Sequence, residues 1–397
     1  MPNCPTGCIF LSMRNVAVIF GGRSAEHDVS IITAHIPVIE TLLAGRKYDV
    51  VPIYISRAGV WYSDSAMNNL EYFKEDFEPK LRRLKPLQLS FEKGLEIIEP
   101  GIFGKKKKID IVFPTMHGTY GEDGSLPGLL RMANVPFVGC DLSASAVAMD
   151  KAFTKQILSA EGILVVPFVW FTKSEWEADN KRILEQIARL KSPRFVKPVH
   201  LGSSIAITKV KSEAELVNAI EVALHYDDKA LVEESVEDLI EVTLPIIGNN
   251  EPRAAEVEHA LNKTEVFDFN EKYLSGGKKS VGGVNRAYSE IPANIGEEVT
   301  SKVKEMGKQV YRILGCTGIA RVDFLIDGKT KKIFVNEVNT LPGSLYHHNW
   351  RKAGVSNMEL IEELIRLAEE RFASQKNTTF TFKSDILKKV GGPKIGA

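Results

Sequence analysis

Residues 321–343 read RVDFLIDGKTKKIFVNEVNTLPG, an apolar stretch that spends polar side chains at Arg321, Asp323, Glu337 and Asn339. VDFLI and KIFVNEV are β-branched, aromatic-rich runs separated by DGKTKK, a glycine-containing turn, and this order predicts a hairpin. Side chains alternate faces along a strand, so Arg321 shares a face with Asp323 and Glu337 shares one with Asn339. A register that joins those faces gathers two carboxylates, a carboxamide and a guanidinium. Ion pairs at strand ends are one reading of that set. The other is a Mg²⁺ site, since hard oxygen ligands suit an ion that keeps some waters and shares substrate phosphates, with an arginine facing developing negative charge.

Two further motifs lie where backbone amides can meet an anion. FGGRSAEHDVS is a glycine turn between the apolar run VAVIF and a helical pattern, and a helix N-terminus offers free N–H groups and a favourable dipole. It lacks the GxGxxG spacing and an acid closing a second strand, which disfavours a dinucleotide site and a dehydrogenase. A small substrate bearing a carboxylate fits instead, with Glu26 placed to meet its amine; an ordinary turn leading into an acidic first helical turn is the plain alternative. HGTYGEDGSLPG, residues 117–128, repeats the logic at another strand end, with His117 and two adjacent acids in a glycine-rich loop. A lone histidine is more often a structural residue than a ligand.

Lys151 starts a helical pattern and Lys197 ends the strand-like RFVK, where apolar neighbours make it a candidate to reach phosphates. HLGSSIAI follows directly and can cover phosphates with backbone N–H groups. No GxxxxGK[ST] loop occurs in the chain.

These residues need elements to position them. The 397 residues exceed one typical domain, and the 44% hydrophobic and 26% charged composition is that of an ordinary globular chain with ample core. The 51 basic and 51 acidic residues cancel, which argues against nucleic acid or an anionic membrane as a bulk electrostatic partner. KKKK at 105–108 reads as a solvated turn. Cys4, Cys8, Cys140 and Cys316 are too scattered for a disulfide framework, and the first two lack a second metal-binding pair. The opening MPNCPTGCIFLS has no basic region of a secretory signal, and no apolar run of about 18 residues is evident, so a cytoplasmic protein is expected. Met13 before RNVAVIFGG resembles a natural start.

Strand, glycine turn, helix and strand in the order VAVIF, GGRSAEHDVS, AGRKYDV, VVPIYI predict a parallel α/β unit, repeated in looser form by IDIVFPTM, a turn, the helix LPGLLRMANV and the short strand PFVG. Residues 57–108 between them read as an irregular surface excursion. DLSASAVAMDKAFTKQILSAEG predicts one helix stopping at Gly162, followed by the strands VVPFVWF and RFVKPV and a Ser-capped helix SEAELVNAIEVALHYD. Antiparallel strands EVTLPIIG, AAEVEHA and EVFDF, the helix EEVTSKVKEMGKQVYRILG, the hairpin and a last helix NMELIEELIRLAEERFA complete the chain.

The order GGRSAEHDVS, HGTYGEDGSLPG, MDK, VKPVHLGSSIAI, EKYLSG, RVDFLID and VNEVNTLPG resembles the D-alanine–D-alanine ligase family of the ATP-grasp superfamily, over roughly residues 14 to 370. The resemblance implies an α/β fold, α+β in part: an N-terminal parallel α/β substrate domain (14–139), a central α+β lid domain (140–236) and a C-terminal α+β catalytic domain (237–375), with an extension (1–13) and a tail (376–397). It implies ATP held by Lys151, Lys197, Ser203, Ser204, Glu233, Glu241 and Lys272, with the last two glutamates near adenine and ribose. Asp323, Glu337 and Asn339 would hold two Mg²⁺ ions, or Mn²⁺. Glu26 and His117 would serve the substrate, Ser203 and Tyr273 would bond with Glu26 and close a mobile loop, and Arg321 with the backbone at Gly343 would stabilise an oxyanion. A homodimer without nucleic-acid or membrane partners is implied too.

The implied reaction joins two D-alanines through an acyl phosphate, for peptidoglycan precursors. The chain departs from the family after VNTLPG, where many members have a Thr-Ser-x-Ser-Leu-like run that holds the second substrate's carboxylate. Here SLYHHNW follows, and it puts His348 and Asn349 at those positions, so D-lactate, D-serine or another amine is an alternative acceptor. A catalytically silent nucleotide-binding protein is a further alternative, disfavoured by the retention of both lysines, the metal-type ligands and Arg321.

Overall fold

The computed structural model describes residues 13–98, 104–202, 205–261, 280–281, 284–285 and 289–389. Ser203, Ser204, Lys272, Tyr273 and the strand expected at EVFDF lie outside these residues.

The first sheet contains the strands Trp61–Tyr62, Tyr48–Ile55, Arg14–Gly21 and Ile111–Pro114 in that spatial order. Arg14–Gly21 pairs in parallel on both sides, Val16 lying opposite Val50 and Ile111. Its unbroken apolar run follows from burial of both faces: Val16, Val18 and Phe20 enter one core, Ala17 and Ile19 another. The first of these cores also takes Leu360, Leu364 and Ile365 of the last helix, Asn357–Lys376, so the two ends of the chain share one apolar interior. Arg371 reinforces that join by donating to the carbonyls of Gly139 and Phe137 and to Thr317 Oγ1.

The helical segment His27–Gly45 is long and apolar enough to cross a membrane by length and composition, contrary to the expectation that no such stretch is present. Its apolar residues Ile31, Ala34, Val38, Ile39 and Leu42 are spent on the core beneath the first sheet. Pro37 lacks the N–H of a regular turn, and the segment opens into a π turn over Ala34–Ile39 around it.

A second, antiparallel sheet orders Thr208–Val210, Arg194–Pro198, Lys229–Glu234 and Phe168–Thr172. Val196, Ala230 and Val232 pack one face against helices that include Ile183, Leu216 and Ile220. Period-2 alternation therefore turns Lys197 and Glu233 to the other face. The third sheet runs Ser289–Glu290, Glu258–Ala260, Leu239–Gly248, Gly318–Asp327, Ile333–Asn339. Helix Glu297–Ile313 covers it through Val303 and Val310, and Ala144, Ala148 and Leu158 join the same core.

Three local expectations change. The helix expected over DLSASAVAMDKAFTKQILSAEG is two, Leu142–Met149 and Lys151–Ala160, separated by extended Asp150, whose side chain caps the second. KKKK is no free turn: Lys106–Lys108 forms the edge of a small sheet with Glu96–Ile98 and Gln88–Ser90, and Lys106 and Lys107 pair with Glu92 and Asp49. PFVG contributes only a single bridge, Phe137 to Val112.

Candidate active site

The hairpin forms as the sequence predicts. Gly318–Asp327 and Ile333–Asn339 are antiparallel, with Arg321 opposite Asn339 and Asp323 opposite Glu337. Arg321 grips both carboxylate oxygens of Asp323, and Asn339 Nδ2 donates to the same group at 3.2 Å. Burial opposes the guanidinium's charge, but Asp323 and its neighbours overcome that and keep Arg321 firmly protonated. Its plane lies against the Tyr346 ring, 5.0 Å from the centroid.

One pocket collects the polar groups of all these segments: Glu26, His117, Glu122, Lys151, Arg321, Glu337, Asn339 and Gly343 line it. Gly118 holds a backbone conformation there that a side chain would strain. It has φ +66°, and a Cβ would come within 2.8 Å of Glu26 Oε2 and 2.7 Å of Ser24 Oγ. Glu122, read in the sequence only as one of two acids in a loop, accepts N–H bonds from Gly118 at 2.8 Å and Leu341 at 3.3 Å, joining the glycine loop to the end of the hairpin. Burial and then the charge of Glu26 push its carboxyl up to about 8, against those N–H groups and Arg321. His117 is buried, its Nε2 2.9 Å from Thr33 Oγ1, and burial lowers its pKa, leaving a neutral ring at pH 7. Thr33 also accepts the N–H of Ser344 at 3.0 Å.

The two expected phosphate lysines reach this region from different elements. Lys151 Nζ donates to Leu201 O at 2.7 Å and lies 3.7 Å from Glu337. Lys197 pairs with Glu233 and sits 3.4 Å from Asn336 Oδ1. Glu233 is 1% exposed and is shared with Lys155, 2.9 Å away, a residue outside the expected site set. Burial pushes Glu233 up, but Lys155 and Lys197 overcome it and hold its carboxyl down at about 2. The signal for Lys155 was its place four residues after Lys151, on one face of one helix, where two like charges need a carboxylate. The charge of Glu241 also acts on Lys197.

His348 and Asn349, expected at the acceptor, lie off the pocket lining. His348 Nε2 stands 3.1 Å from Glu258, and Asn349 Nδ2 donates to the carbonyl of Glu256 at 3.0 Å. The residues that directly follow Gly343 instead make a tight left-handed turn, with φ of 51°, 52° and 47° at Ser344, Leu345 and Tyr346. That turn, with no side-chain periodicity to betray it, brings Tyr346 rather than His348 onto Arg321.

The donors suit a divalent cation. Asp323 and Glu337 face one another across the hairpin with Asn339 beside them, a set of hard oxygen donors, with Arg321 and Lys151 as the cations next to them.

Residues 15–140 match the family described as D-ala D-ala ligase N-terminus, and residues 157–366 match D-ala D-ala ligase C-terminus. The chain belongs to the D-alanine–D-alanine ligase family. A D-alanine–D-alanine ligase of Thermosipho africanus is 36% identical over 374 residues, 94% of this chain and 98% of the relative. That of Enterococcus hirae is 36% identical over 90% of this chain and 96% of its own length. Among solved structures, the D-alanine-D-alanine ligase from Coxiella burnetii superposes with a TM-score of 0.76 at 30% identity, covering 91% of this chain and 96% of that one. VanG D-Ala:D-Ser ligase from Enterococcus faecalis gives 0.73 at 32% identity, covering 89% and 99%. The architecture is accordingly the ATP-grasp fold of this ligase family.

Proposed function

We propose that this chain is an ATP-dependent ligase that joins two D-alanines to D-alanyl-D-alanine, with release of ADP and phosphate, for peptidoglycan precursors. The supporting observation is one pocket in which Glu26, Lys151, Arg321, Glu337, Asn339 and Gly343 converge from four separate stretches of chain. In the first step a D-alanine carboxylate oxygen attacks the γ-phosphorus of ATP, the bond to ADP breaks and an acyl phosphate forms. In the second, the amine of another D-alanine attacks the acyl carbon, loses a proton, and phosphate leaves from the tetrahedral intermediate.

Glu26 and Glu122, which line the pocket together, meet the substrate ammonium. Lys151, and Lys197 drawn from its pairing with Glu233, counter the polyphosphate, and Glu241 takes the ribose side. Arg321 and the Gly343 backbone stabilise the oxyanion; one such donor is typically worth about 3–4 kcal/mol. Asp323, Glu337 and Asn339 are the oxygen donors for Mg²⁺, as two ions or with Mn²⁺ in its place, which when bound neutralises charge on the phosphates. Ser203, Ser204, Lys272 and Tyr273 retain the loop roles that the family resemblance gives them, with closure keeping the acyl phosphate from water. The three-unit division at 14–139, 140–236 and 237–375, a homodimer and a cytoplasmic location belong to the same reading.

A second acceptor is a separate reading, supported by the turn after Gly343, which sets Tyr346 against Arg321 with His348 packed beside the Tyr346 ring. The experiment is phosphate release from Mg-ATP with D-alanine, L-alanine, D-serine and D-lactate, singly and in pairs, with products identified by mass. Turnover with D-alanine alone, giving the dipeptide, is the expected result. Turnover only with a mixed pair moves the function to a D-alanine ligase of another acceptor, and no turnover with any pair overturns the enzyme reading.

A further inference from the structure

A second cluster of charged groups surrounds His200, just past the strand Arg194–Pro198. Its Nδ1 is 2.9 Å from Asp227 Oδ1, its backbone N–H donates to Asp227 Oδ2 at 2.6 Å, and its Nε2 is 3.3 Å from Asp150 Oδ2. Asp228 lies 3.8 Å off, exposed to solvent. Lys229 Nζ reaches the same Asp150 oxygen at 2.7 Å and is sandwiched by the rings of Phe153 and Trp170, 3.7 and 4.3 Å from their centroids. Both ring nitrogens of His200 thus face carboxylates, so both donate and the ring is an imidazolium. Its bonds to Asp150 and Asp227 hold its pKa up at about 9, while burial pushes Asp150 up and His200, Lys229 and the Phe153 N–H overcome that, holding it at about 2. His200, Asp227 and Asp228 are also close enough to share a metal ion. That reading fails on the donors, because a metal needs a bare imidazole nitrogen and both are committed to carboxylates.

The cluster touches the site through one residue. Asp150 breaks the two helices apart in extended conformation and caps the second through the N–H of Phe153 at 2.8 Å. The next residue is Lys151, whose N–H meets Val199 O at 3.4 Å and whose Nζ meets Leu201 O at 2.7 Å. Residues on either side of His200 therefore hold both ends of Lys151, and His200 itself holds the residue before it.

We propose that His200, as an imidazolium, is a positioning residue that ties the strand end at Val199–Leu201 to Asp150 and Asp227 and so sets Lys151 in place for the nucleotide polyphosphate. This rests on the ATP reading above and adds to it a residue that touches no substrate. With His200 neutral, one of its two carboxylate bonds is lost, and Lys151 is no longer fixed from both sides.

The test uses the full chain and titrates a non-hydrolysable ATP analogue with Mg²⁺ by calorimetry between pH 7 and 10, for the wild type, H200A and H200R. The wild type is expected to bind evenly up to about pH 8 and to weaken as pH passes 9. H200A is expected to bind about tenfold more weakly at pH 7.5, which is about 1.4 kcal/mol, with no extra loss at pH 9. H200R, with a planar charge that does not titrate, is expected to regain most of the affinity and to keep it past pH 9. Circular dichroism melts at pH 7.5 confirm that each variant is folded. Equal affinity and equal pH profiles for wild type and H200A overturn the proposal, as does a folded H200R no better than H200A. Dipeptide formation is assayed in parallel: its absence alongside a histidine-dependent binding profile counts against the D-alanine reading and leaves this one standing.

Discussion

Asp323 stands directly opposite Glu337 across the hairpin, two carboxylates held face to face on neighbouring strands. Arg321 offsets one of them and Lys151, 3.7 Å away, approaches the other. The two positions should therefore respond differently to neutralisation. E337Q removes a like-charge contact worth about 0.2–1 kcal/mol together with the approaches of Lys151 at 3.7 Å and Arg321 at 3.9 Å, which offset it, so the metal-free protein should change by no more than about 1 kcal/mol while ligase activity drops at least about a hundredfold. D323N strands the buried Arg321 and should cost about 3–5 kcal/mol of stability. Denaturant melts without Mg²⁺ check the order; equal losses for both variants would contradict it.

Glu122 gives the free protein a pH signature with a definite sign. Its carboxyl is raised from 4.5 to about 8 by burial and by Glu26, so between those values the folded chain holds a proton that the unfolded chain has released. That contribution is fully present below about pH 4.5 and is lost as pH climbs to 8. E122Q carries no such loss, so its Tm should gain on the wild type steadily from pH 5 to pH 8 and then run parallel to it. Melts across that range decide; parallel curves throughout would mean that Glu122 titrates normally. The variant should also raise the KM for D-alanine, since half of the pair facing the ammonium is gone.

The hairpin was legible because its signals are local: period-2 alternation, a glycine turn, and polar residues at positions that any antiparallel register brings together. Asp150 was not, because the apolar positions before and after it keep one continuous three-and-four spacing, and only the burial of a carboxylate against His200 and Lys229 makes breaking the helix there favourable. Lys155 shares a helix face with Lys151, which calls for a carboxylate, but nothing local names Glu233, 78 positions on, as that partner. The order of glycine and lysine motifs carried the family and the ATP chemistry. The place of His348 was not legible either, because three successive left-handed residues, a backbone matter, set it beside Tyr346 and Glu258.

Glu233 between Lys155 and Lys197 is a buried charge triad with one anion and two cations. K155M leaves Glu233 paired with Lys197 and strands nothing, whereas E233Q leaves two buried lysines facing each other. E233Q should therefore be the more destabilising, by about 3–5 kcal/mol, with K155M well below it. In K155M the remaining pair tightens, Lys197 is held more firmly away from phosphate, and the KM for ATP should rise while that for D-alanine holds. Urea melts and steady-state kinetics test both halves; a larger stability loss in K155M would refute the assignment of Glu233 as the shared partner.

Tyr346 covers Arg321 at 5.0 Å and is delivered there by the left-handed turn, so it controls how much of the guanidinium an acceptor can see. A desolvated cation–ring contact is worth about 0.5–2 kcal/mol, which corresponds to a factor of roughly 2 to 30 in kcat/KM. Y346F keeps the ring and should stay within about threefold of the wild type on D-alanine. Y346A uncovers Arg321 and opens the space beside it, so D-alanine should lose by that factor of roughly 2 to 30 while a bulkier D-amino acid gains relative to it. Competition between D-alanine and D-serine or D-valine as acceptors, read as the ratio of dipeptide masses, measures the shift directly. An unchanged ratio in Y346A, with Ser344 then substituted to Ala and the ratio moving, would assign acceptor choice to the serine at the start of the turn and not to the ring at its end.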